Sequence, residues 1–203
     1  MFRTVEGSAE ATYEIKKSVF IARIKGVNGV DEGVAFVKDV KSRHTDARHN
    51  CYAVLCCDGQ KFSDDGEPSG TAGQPILQAI KNSGLCDVAL VVTRYFGGIK
   101  LGANGLVTSY QRAASEAIEK ATTVVVKASD VGEISCDYTD YRKTNELLER
   151  FGKVLSTDYG DGITIRYAVP VEERGKLDEL LAESTAGRVK ATYSGVENIK
   201  YNE

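Results

Sequence analysis

Hydrophobic residues in the first part of the chain change their spacing several times, and each spacing predicts a different element. Residues 12–15 and 19–27 carry the β-branched and aromatic side chains typical of strands. Residues 30–43 instead place valines three or four positions apart, which indicates a helix. The further predicted elements are a strand at 50–57, a helix from Pro75 to about Ser83, a buried strand at 87–93, a helix at 106–121 and a strand at 122–126. This part of the chain is therefore predicted to be a mixed α/β domain.

The second part of the chain has a more regular pattern. Strands are predicted at 131–138, 154–159, 163–169 and 188–193, and helices at 140–152 and 171–183. The tripeptide Gly160-Asp161-Gly162 is a hairpin signal between two of these strands. The resulting order, βαββαβ, is that of the ferredoxin-like fold. We place the boundary near residues 127–130, which gives a first domain of residues 1–128 and a second of residues 129–203.

The composition adds limits rather than a function. The 203 residues are 42% hydrophobic and 27% charged, which are ordinary values for a globular chain, and no apolar run approaches the roughly 18 residues of a membrane span. The five cysteines are odd in number and two are adjacent, unlike the framework of a secreted disulfide-rich protein. We therefore expect free thiols, with Cys136 in the core of the second domain, and a cytoplasmic protein that makes no membrane contact.

Charge is divided unevenly between the two predicted domains. Residues 1–128 carry 16 basic and 14 acidic side chains, whereas residues 129–203 carry 10 and 15. Neither balance is basic enough to bind nucleic acid by counterion release alone. Any contact with RNA must therefore use a local basic patch on the first domain.

A glycine-rich, acidic loop is predicted at residues 58–73, and its residues 62–73 are the first candidate site. Asp64, Asp65 and Glu67 place three carboxylates within four residues. Carboxylate oxygens could hold Mg²⁺ or serve as a general acid and base. The alternative is an acidic turn in which Thr71 or a neighbouring residue caps the following helix. No protein ligands of a metal are assigned.

A second glycine-rich loop, at residues 93–105, follows a predicted buried strand and opens a helix. Backbone N–H groups at such a helix N-terminus favour an anion, and Arg94 and Lys100 add positive charge. The alternative is that the glycines only permit close packing and left-handed turns. The residues predicted to bind an anion or RNA here are Arg94, Tyr95, Gly97, Gly98, Lys100 and Gly102.

A basic strip precedes the strand predicted at 50–57. Lys41, Arg43 and Arg48 are expected to extend the positive field of the second loop. The strip ends in His49 and Cys51, which could form a base and nucleophile pair if they were hydrogen-bonded. A thiol in a strand is more often inert, so these two residues are weak catalytic candidates together with the three carboxylates.

Three segments taken together resemble the IMPACT/YigZ family. They are residues 49–53 (His-Asn-Cys-Tyr-Ala), residues 63–73 (Ser-Asp-Asp-Gly-Glu-Pro-Ser-Gly-Thr-Ala-Gly) and residues 91–102 (Val-Val-Thr-Arg-Tyr-Phe-Gly-Gly-Ile-Lys-Leu-Gly). The last two, in this order and spacing, are specific to the family. Two positions depart from it, since Asn104 stands where the family often has a glycine and Thr108 where it often has an arginine.

The resemblance implies a bacterial-type member and an α+β architecture. A ribosomal-protein-like left-handed βαβ domain would be followed by a ferredoxin-like βαββαβ domain resembling domain V of elongation factor G. Eukaryotic members restrain a translation-control kinase, partly through an added RWD domain for which this chain has no room, so that role is not carried over.

The leading hypothesis is a non-enzymatic binding and regulatory protein linked to translation, in contact with RNA, the ribosome or a ribosome-associated factor through the basic glycine-rich loop. The alternative is a metal-assisted hydrolase or transferase acting on a phosphorylated small molecule or nucleotide, for which the two loops would have to share one pocket. A protein partner for the acidic second domain is a third hypothesis. Under either of the first two hypotheses we expect the two glycine-rich loops to lie side by side at one edge of the first domain's sheet.

Overall fold

A computed structural model describes residues 1–202 of the chain, which form two compact units, Phe2–Val124 and Val125–Asn202. The secondary structure is a mixture of five helices and antiparallel sheets in the described residues, an α+β arrangement. Among residues 1–202 no helix combines the length and apolar composition needed to cross a membrane.

The first unit contains nine complete elements, six strands and three helices. The elements are β1 (Phe2–Val5), β2 (Ser8–Ile15), β3 (Ser18–Gly26), α1 (Val30–Arg43), β4 (His49–Cys56), β5 (Gly59–Ser63), α2 (Gly73–Ser83), β6 (Val88–Tyr95) and α3 (Gly102–Lys120). Five of the strands make one antiparallel sheet in the order β2–β3–β6–β4–β5. The central strand, β6, therefore has neighbours on both sides.

Both faces of this sheet are covered, and β6 shows why its sequence is almost entirely apolar. Leu90 and Val92 belong to a core cluster that also contains residues of α2 and α3. Ala89 and Val91, which point to the opposite face, pack in a second cluster with valines of α1. A strand buried on both faces has no polar positions to alternate with its apolar ones.

The second unit contains one layer of helices and one sheet. Its elements are β7 (Thr123–Cys136), α4 (Tyr138–Phe151), β8 (Lys153–Tyr159), β9 (Ile163–Pro170), α5 (Arg174–Ser184) and β10 (Ala191–Asn202), with the first two residues of β7 in the first unit. The strands of the unit lie in the order β10–β7–β9–β8. Cys136 is buried in the core of this unit, as predicted from the alternation of its strand.

Several elements differ from the sequence prediction, each for a local reason. Strand β5 lies within residues 58–73, which were expected to be loop. It is an exposed edge strand with mostly polar side chains, and it follows the hairpin turn at Cys57-Asp58. The strands predicted at 122–126 and 131–138 form the single strand β7. The domain boundary was predicted near residues 127–130, between these two strands, but Ser129 and Asp130 are buried within β7 and bonded, Ser129 to Tyr201 and Asp130 to Arg174.

Candidate functional site

A cavity of about 440 Å³ lies in the first unit, between the two glycine-rich segments. Its lining residues are Arg48, His49, Glu67, Pro68, Arg94, Phe96, Lys100, Leu101, Gly102, Ala103 and Leu106. They come from the start of β4, the segment before α2, the end of β6 and the start of α3. The prediction that the two segments lie side by side is confirmed. We refer to this space as the loop cavity.

The base of the loop cavity is a buried ion pair. Glu67 Oε1 accepts hydrogen bonds from Arg94 Nη1 at 2.6 Å and from the Tyr110 hydroxyl at 2.8 Å. The side chains of Arg94 and Glu67 are only 7% and 4% exposed. Arg94 therefore balances the negative charge of Glu67, and this carboxylate does not repel an anion from the cavity.

Arg94 does not lie on a loop, in contrast to the sequence prediction. It is the next-to-last residue of β6, which extends to Tyr95, and its guanidinium lies 5.5 Å and 5.6 Å from the rings of Phe20 and Phe96. Within the described part of the chain, its Nε is buried without a hydrogen-bond partner. Arg94 thus serves as a fixed charge in the wall of the cavity rather than as a free surface cation.

The exposed positive charge at the loop cavity comes from Arg48 and Lys100. Neither forms a salt bridge with any residue among 1–202, so both charges are available to a ligand. The first turn of α3 adds a third contribution, because Gly102 and Ala103 line the cavity and no side chain among residues 1–202 accepts a hydrogen bond from the first N–H groups of this helix. Uncapped N–H groups at a helix start carry partial positive charge and favour anions.

The carboxylate of Asp64 shapes the segment before α2 and does not face a shared metal position. It accepts backbone hydrogen bonds from Gly70, Ala72 and Gly73 at 2.9, 3.0 and 2.9 Å. Burial raises the pKa of Asp64, but these three bonds outweigh it and leave the pKa below its usual value. The interpretation of an acidic turn that caps the following helix is therefore favoured, with Asp64 as the capping residue in place of Thr71.

The three candidate carboxylates separate toward different partners. Asp65 accepts from Lys41 Nζ at 2.6 Å and from the backbone N–H of Asn50 at 2.7 Å, while Glu67 is held by Arg94. Among residues 1–202 they do not form a group of metal ligands. The alternative of a Mg²⁺ site on Asp64, Asp65 and Glu67 is not supported by this arrangement.

Cys51 and His49 are adjacent to the loop cavity but do not make a nucleophile and base pair. The Cys51 thiol is buried, and its single S–H has two acceptors within reach, the Asp64 carbonyl at 2.9 Å and the Tyr110 hydroxyl at 3.3 Å. Burial raises the pKa of Cys51 to about 12, so the thiol stays protonated. The Nδ1–H of His49 donates to the Asp65 carbonyl at 2.9 Å, and its Nε2 lies 3.9 Å from Glu67 Oε1.

The other predicted anion-binding residues have partners outside the cavity lining. Lys41 pairs with Asp65, and Arg43 pairs with Asp39 on the surface of α1. The Tyr95 hydroxyl lies 3.0 Å from His44 Nδ1 and donates to Asp46 at 3.2 Å. Acidic side chains therefore offset the positive charge that Lys41 and Arg43 were expected to add beside the second loop, whereas Arg48 lines the loop cavity.

The glycines of the second segment serve packing and backbone geometry as well as the cavity. A Cβ on Gly97 would collide with the backbone of Lys17. Gly98 and Gly102 have φ values of +85° and +74°, in the left-handed region that glycine adopts at least cost. Gly102 alone of the three lines the loop cavity.

Sequence reasoning missed Tyr110 and Phe96 as parts of the site. Tyr110 lies on the apolar face of α3, which predicts a core residue, and its ring is fully buried. Its hydroxyl nevertheless joins the Cys51 thiol to Glu67. A tyrosine among alanines on a buried helix face was the available signal, since a buried hydroxyl needs a polar partner.

Comparison with known proteins agrees with this organisation. Residues 16–118 match the model of the Impact N-terminal domain, and residues 134–188 match a domain of unknown function, DUF1949. The chain is 37% identical to the IMPACT family member YigZ of Escherichia coli, covering 87% of this chain and 90% of the relative. It is 38% identical to the IMPACT family member YvyE of Bacillus subtilis, covering 91% and 87%.

A solved structure extends the similarity to the whole chain. The crystal structure of a protein described only as hypothetical is 32% identical, covers 96% of this chain and 97% of its own, and superposes with a TM-score of 0.63. The residues of the loop cavity all lie within the matched Impact N-terminal domain. The chain belongs to the IMPACT family.

Proposed function

We propose that this protein is a binding and regulatory protein linked to translation, and that its first unit holds a phosphate group of RNA in the loop cavity. The observation that carries the proposal is the uncapped N-terminus of α3, which opens into a cavity bordered by Arg48 and Lys100. The link to translation rests on family membership and on the implied fold relationships.

The electrostatics of the cavity favour an anion over a neutral ligand. Arg48, Lys100 and the first N–H groups of α3 contribute positive potential, and the single carboxylate in the lining, Glu67, is already paired with Arg94. An arginine can form two parallel hydrogen bonds to a phosphate, and a lysine can approach it as a point charge. The cavity therefore offers a phosphate both direct donors and a helix terminus.

RNA fits this arrangement better than an isolated phosphate does. The cavity volume of about 440 Å³ exceeds that of one phosphate group and can accept an attached sugar. The ring of Phe96, which is 45% exposed, lies at the same cavity and can stack on a base. Stacking together with several separated cations is the usual combination in proteins that bind single-stranded nucleic acid.

The proposed fold relationships also favour RNA as the ligand. We propose that the first unit is a ribosomal-protein-like left-handed βαβ domain and that the second is a ferredoxin-like domain resembling domain V of elongation factor G. The order of elements in the second unit and its strand order, β10–β7–β9–β8, support the second assignment. Both relationships suggest contact with RNA or the ribosome, by analogy of fold alone.

An enzyme acting on a phosphorylated small molecule is the second candidate, and one observation favours it. The two glycine-rich segments do share one cavity, which such an enzyme requires. The chemistry of the candidate residues favours binding instead. Asp64 is held by three backbone N–H groups, the Cys51 thiol is buried and protonated, and Glu67 is held by Arg94 and Tyr110.

The test is a comparison of RNA binding by two double variants that remove equal charge. Arg48→Ala with Lys100→Ala removes both free cations of the loop cavity, whereas Lys38→Ala with Lys120→Ala removes two exposed lysines elsewhere on the first unit. Fluorescence anisotropy with a single-stranded RNA is measured across a range of salt concentrations. Each lost phosphate contact lowers the magnitude of the salt slope by about 0.7 for a single-stranded nucleic acid.

We expect the cavity variant to lower the magnitude of the salt slope by about 1.4 and the control variant to leave it close to that of the wild type. Equal behaviour of the two variants would show that the cavity does not hold RNA phosphate. If the wild type instead turns over a phosphorylated small molecule, and Glu67→Gln abolishes that turnover while its circular dichroism spectrum remains that of the wild type, the enzyme hypothesis replaces the binding hypothesis.

A further inference from the structure

Two cysteines form a close pair on the surface of the first unit, just after the last residue of β4, Cys56. The loop cavity lies at the other end of this strand, near His49. The Sγ atoms of Cys57 and Cys86 lie 3.4 Å apart. Cys57 is exposed and Cys86 is half-buried, whereas Cys51, Cys56 and Cys136 are buried. This pair is accessible to solvent and has no role in the loop cavity.

The sheet register accounts for the pairing. Strands β4 and β6 are antiparallel, with Leu55 opposite Val88. Continuing this register by two positions beyond the ladder places Cys57 opposite Cys86. Neither residue uses its backbone N–H toward the other, since Cys57 donates to the Asp87 carboxylate and Cys86 to the Arg3 carbonyl. Side chains of such pairs approach closely.

Asp87 adds a third ligand atom to the pair. A carboxylate oxygen of Asp87 and the two sulfur atoms all lie within 4.8 Å of one another. Among the described residues this is the single such group of three cysteine, histidine or acidic side chains. The backbone of Asp87 has a φ of +55° and its carbonyl accepts from Thr4 and Val27, both at 2.9 Å, which fixes the residue beside the two thiols.

We propose that Cys57, Cys86 and Asp87 form a surface site for a thiophilic divalent cation, and that Zn²⁺ is the ion the geometry fits. Two thiolates bound tetrahedrally to one zinc, with Zn–S bonds of about 2.3 Å, lie roughly 3.8 Å apart. The observed 3.4 Å is close to this separation and well above the approximately 2.05 Å of a disulfide bond.

The chemistry of the site balances without an oxidant. Binding of Zn²⁺ displaces one proton from each thiol to solvent, so that two thiolates and one carboxylate surround the ion. Three protein ligands leave a fourth tetrahedral position for water or for a further ligand. Zinc at this site would tie the turn after β4 to the residue before β6 without altering the loop cavity.

The test uses the full chain, reduced and freed of metal, and titrated with Co²⁺ as a spectroscopic substitute for Zn²⁺. We expect one equivalent of Co²⁺ to bind with sulfur-to-cobalt charge-transfer absorption, and Zn²⁺ to displace it. Cys57→Ser should lower the affinity by at least about 100-fold, more than loss of a supporting hydrogen bond does at metal sites. Cys57 is exposed, so this variant keeps its fold.

Two further variants separate the ligands from their surroundings. Asp87→Asn keeps a residue that tolerates the left-handed backbone but removes the negative charge, and it should weaken binding. Cys56→Ala removes a neighbouring thiol on the buried face of β4 and should leave affinity unchanged. The proposal is overturned if no metal binds, if Cys57→Ser binds as the wild type does, or if the two thiols are found joined in a disulfide in the protein isolated without reductant.

Discussion

Arg94 Nη1 and Glu67 Oε1 lie 2.6 Å apart inside the first unit, with both side chains less than a tenth exposed. The two residues come from different segments, the end of β6 and the segment before α2, so their ion pair joins the two walls of the loop cavity. Since each charge has lost most of its hydration, each is stabilised mainly by the opposite charge of its partner. The arrangement makes the pair a structural element of the cavity rather than part of its free charge.

Glu67→Ala should therefore destabilise the protein strongly. The change leaves the Arg94 guanidinium buried without its counter-charge and removes the acceptor of the Tyr110 hydroxyl. Breaking a buried pair in this way costs about 3–5 kcal/mol. Urea unfolding followed by circular dichroism measures the loss. The matched control is Glu116→Ala, which breaks the exposed pair with Arg112 and should cost at most about 1 kcal/mol. Similar losses for the two variants would contradict the structural role of the buried pair.

The five cysteines should differ sharply in reactivity. Burial raises the pKa of Cys51 to about 12, so at pH 8 its thiol is protonated as well as inaccessible. Cys57 is exposed, and we expect iodoacetamide to modify it first. Peptide mapping after alkylation of the native, metal-free protein should show Cys57 labelled and Cys51 unlabelled, with both labelled in urea. Rapid labelling of Cys51 in the native protein would restore it as a nucleophile candidate.

The central strand and the loop cavity show how far the sequence pattern reaches. The unbroken apolar run at 88–92 correctly indicated a strand buried on both faces, because no polar position was available for a solvent face. The two glycine-rich segments were correctly placed side by side, since each follows a strand and leads into a helix. Local patterns were sufficient for both conclusions.

The partners of the charged residues could not be predicted in the same way. Arg94 was taken as a loop cation because glycines follow it, and its partner Glu67 is distant in sequence. Pairing across this distance depends on how β6 and the segment before α2 pack, which no local pattern encodes. The same applies to Lys41 and Asp65, whose pairing removed a cation from the expected basic strip.

Asp64→Asn should lower stability in a pH-dependent way. The wild-type carboxylate caps three backbone N–H groups, and the loss of such a cap costs about 0.5–2 kcal/mol near neutral pH. Because the pKa of Asp64 is lower in the folded protein than in the unfolded chain, its contribution is fully present above the unfolded value. The contribution is lost as the pH falls through the folded value.

The difference in unfolding free energy between wild type and Asp64→Asn should therefore stay constant from pH 7 to about 5 and narrow as the pH falls below about 4. Urea unfolding at a series of pH values measures it. Asp31→Asn, at an exposed position in the first turn of α1, serves as the control. A difference that stays constant or widens on acidification would show that the Asp64 carboxylate does not hold its bonds in the charged form.

The second unit should fold when expressed alone. Its core cluster of buried residues, which includes Ile134, Leu148, Tyr167 and Leu177, draws only on residues of that unit. A chain of residues 125–203 is thus expected to show a cooperative urea transition and dispersed amide resonances. Non-cooperative unfolding of this fragment would indicate that its core depends on residues before 125.

Gly97 and Gly98 should respond differently to substitution, although they are adjacent. Gly97 has an N–H that donates to the Ser18 hydroxyl at 3.2 Å, and a Cβ there would collide with the Lys17 backbone. Gly98 has open space around it but a φ of +85°. Gly97→Ala is therefore a steric change, costing about 1–3 kcal/mol, whereas Gly98→Ala is a conformational change, costing about 1–2 kcal/mol.

Asparagine at each position distinguishes the two causes, because it tolerates a left-handed backbone but is larger than alanine. Gly98→Asn should recover part of the stability lost in Gly98→Ala, whereas Gly97→Asn should be no more stable than Gly97→Ala. Thermal unfolding of the four variants measures these differences. A recovery by asparagine at Gly97, or none at Gly98, would mean that the contact with Lys17 and the left-handed turn are not what requires glycine in this segment.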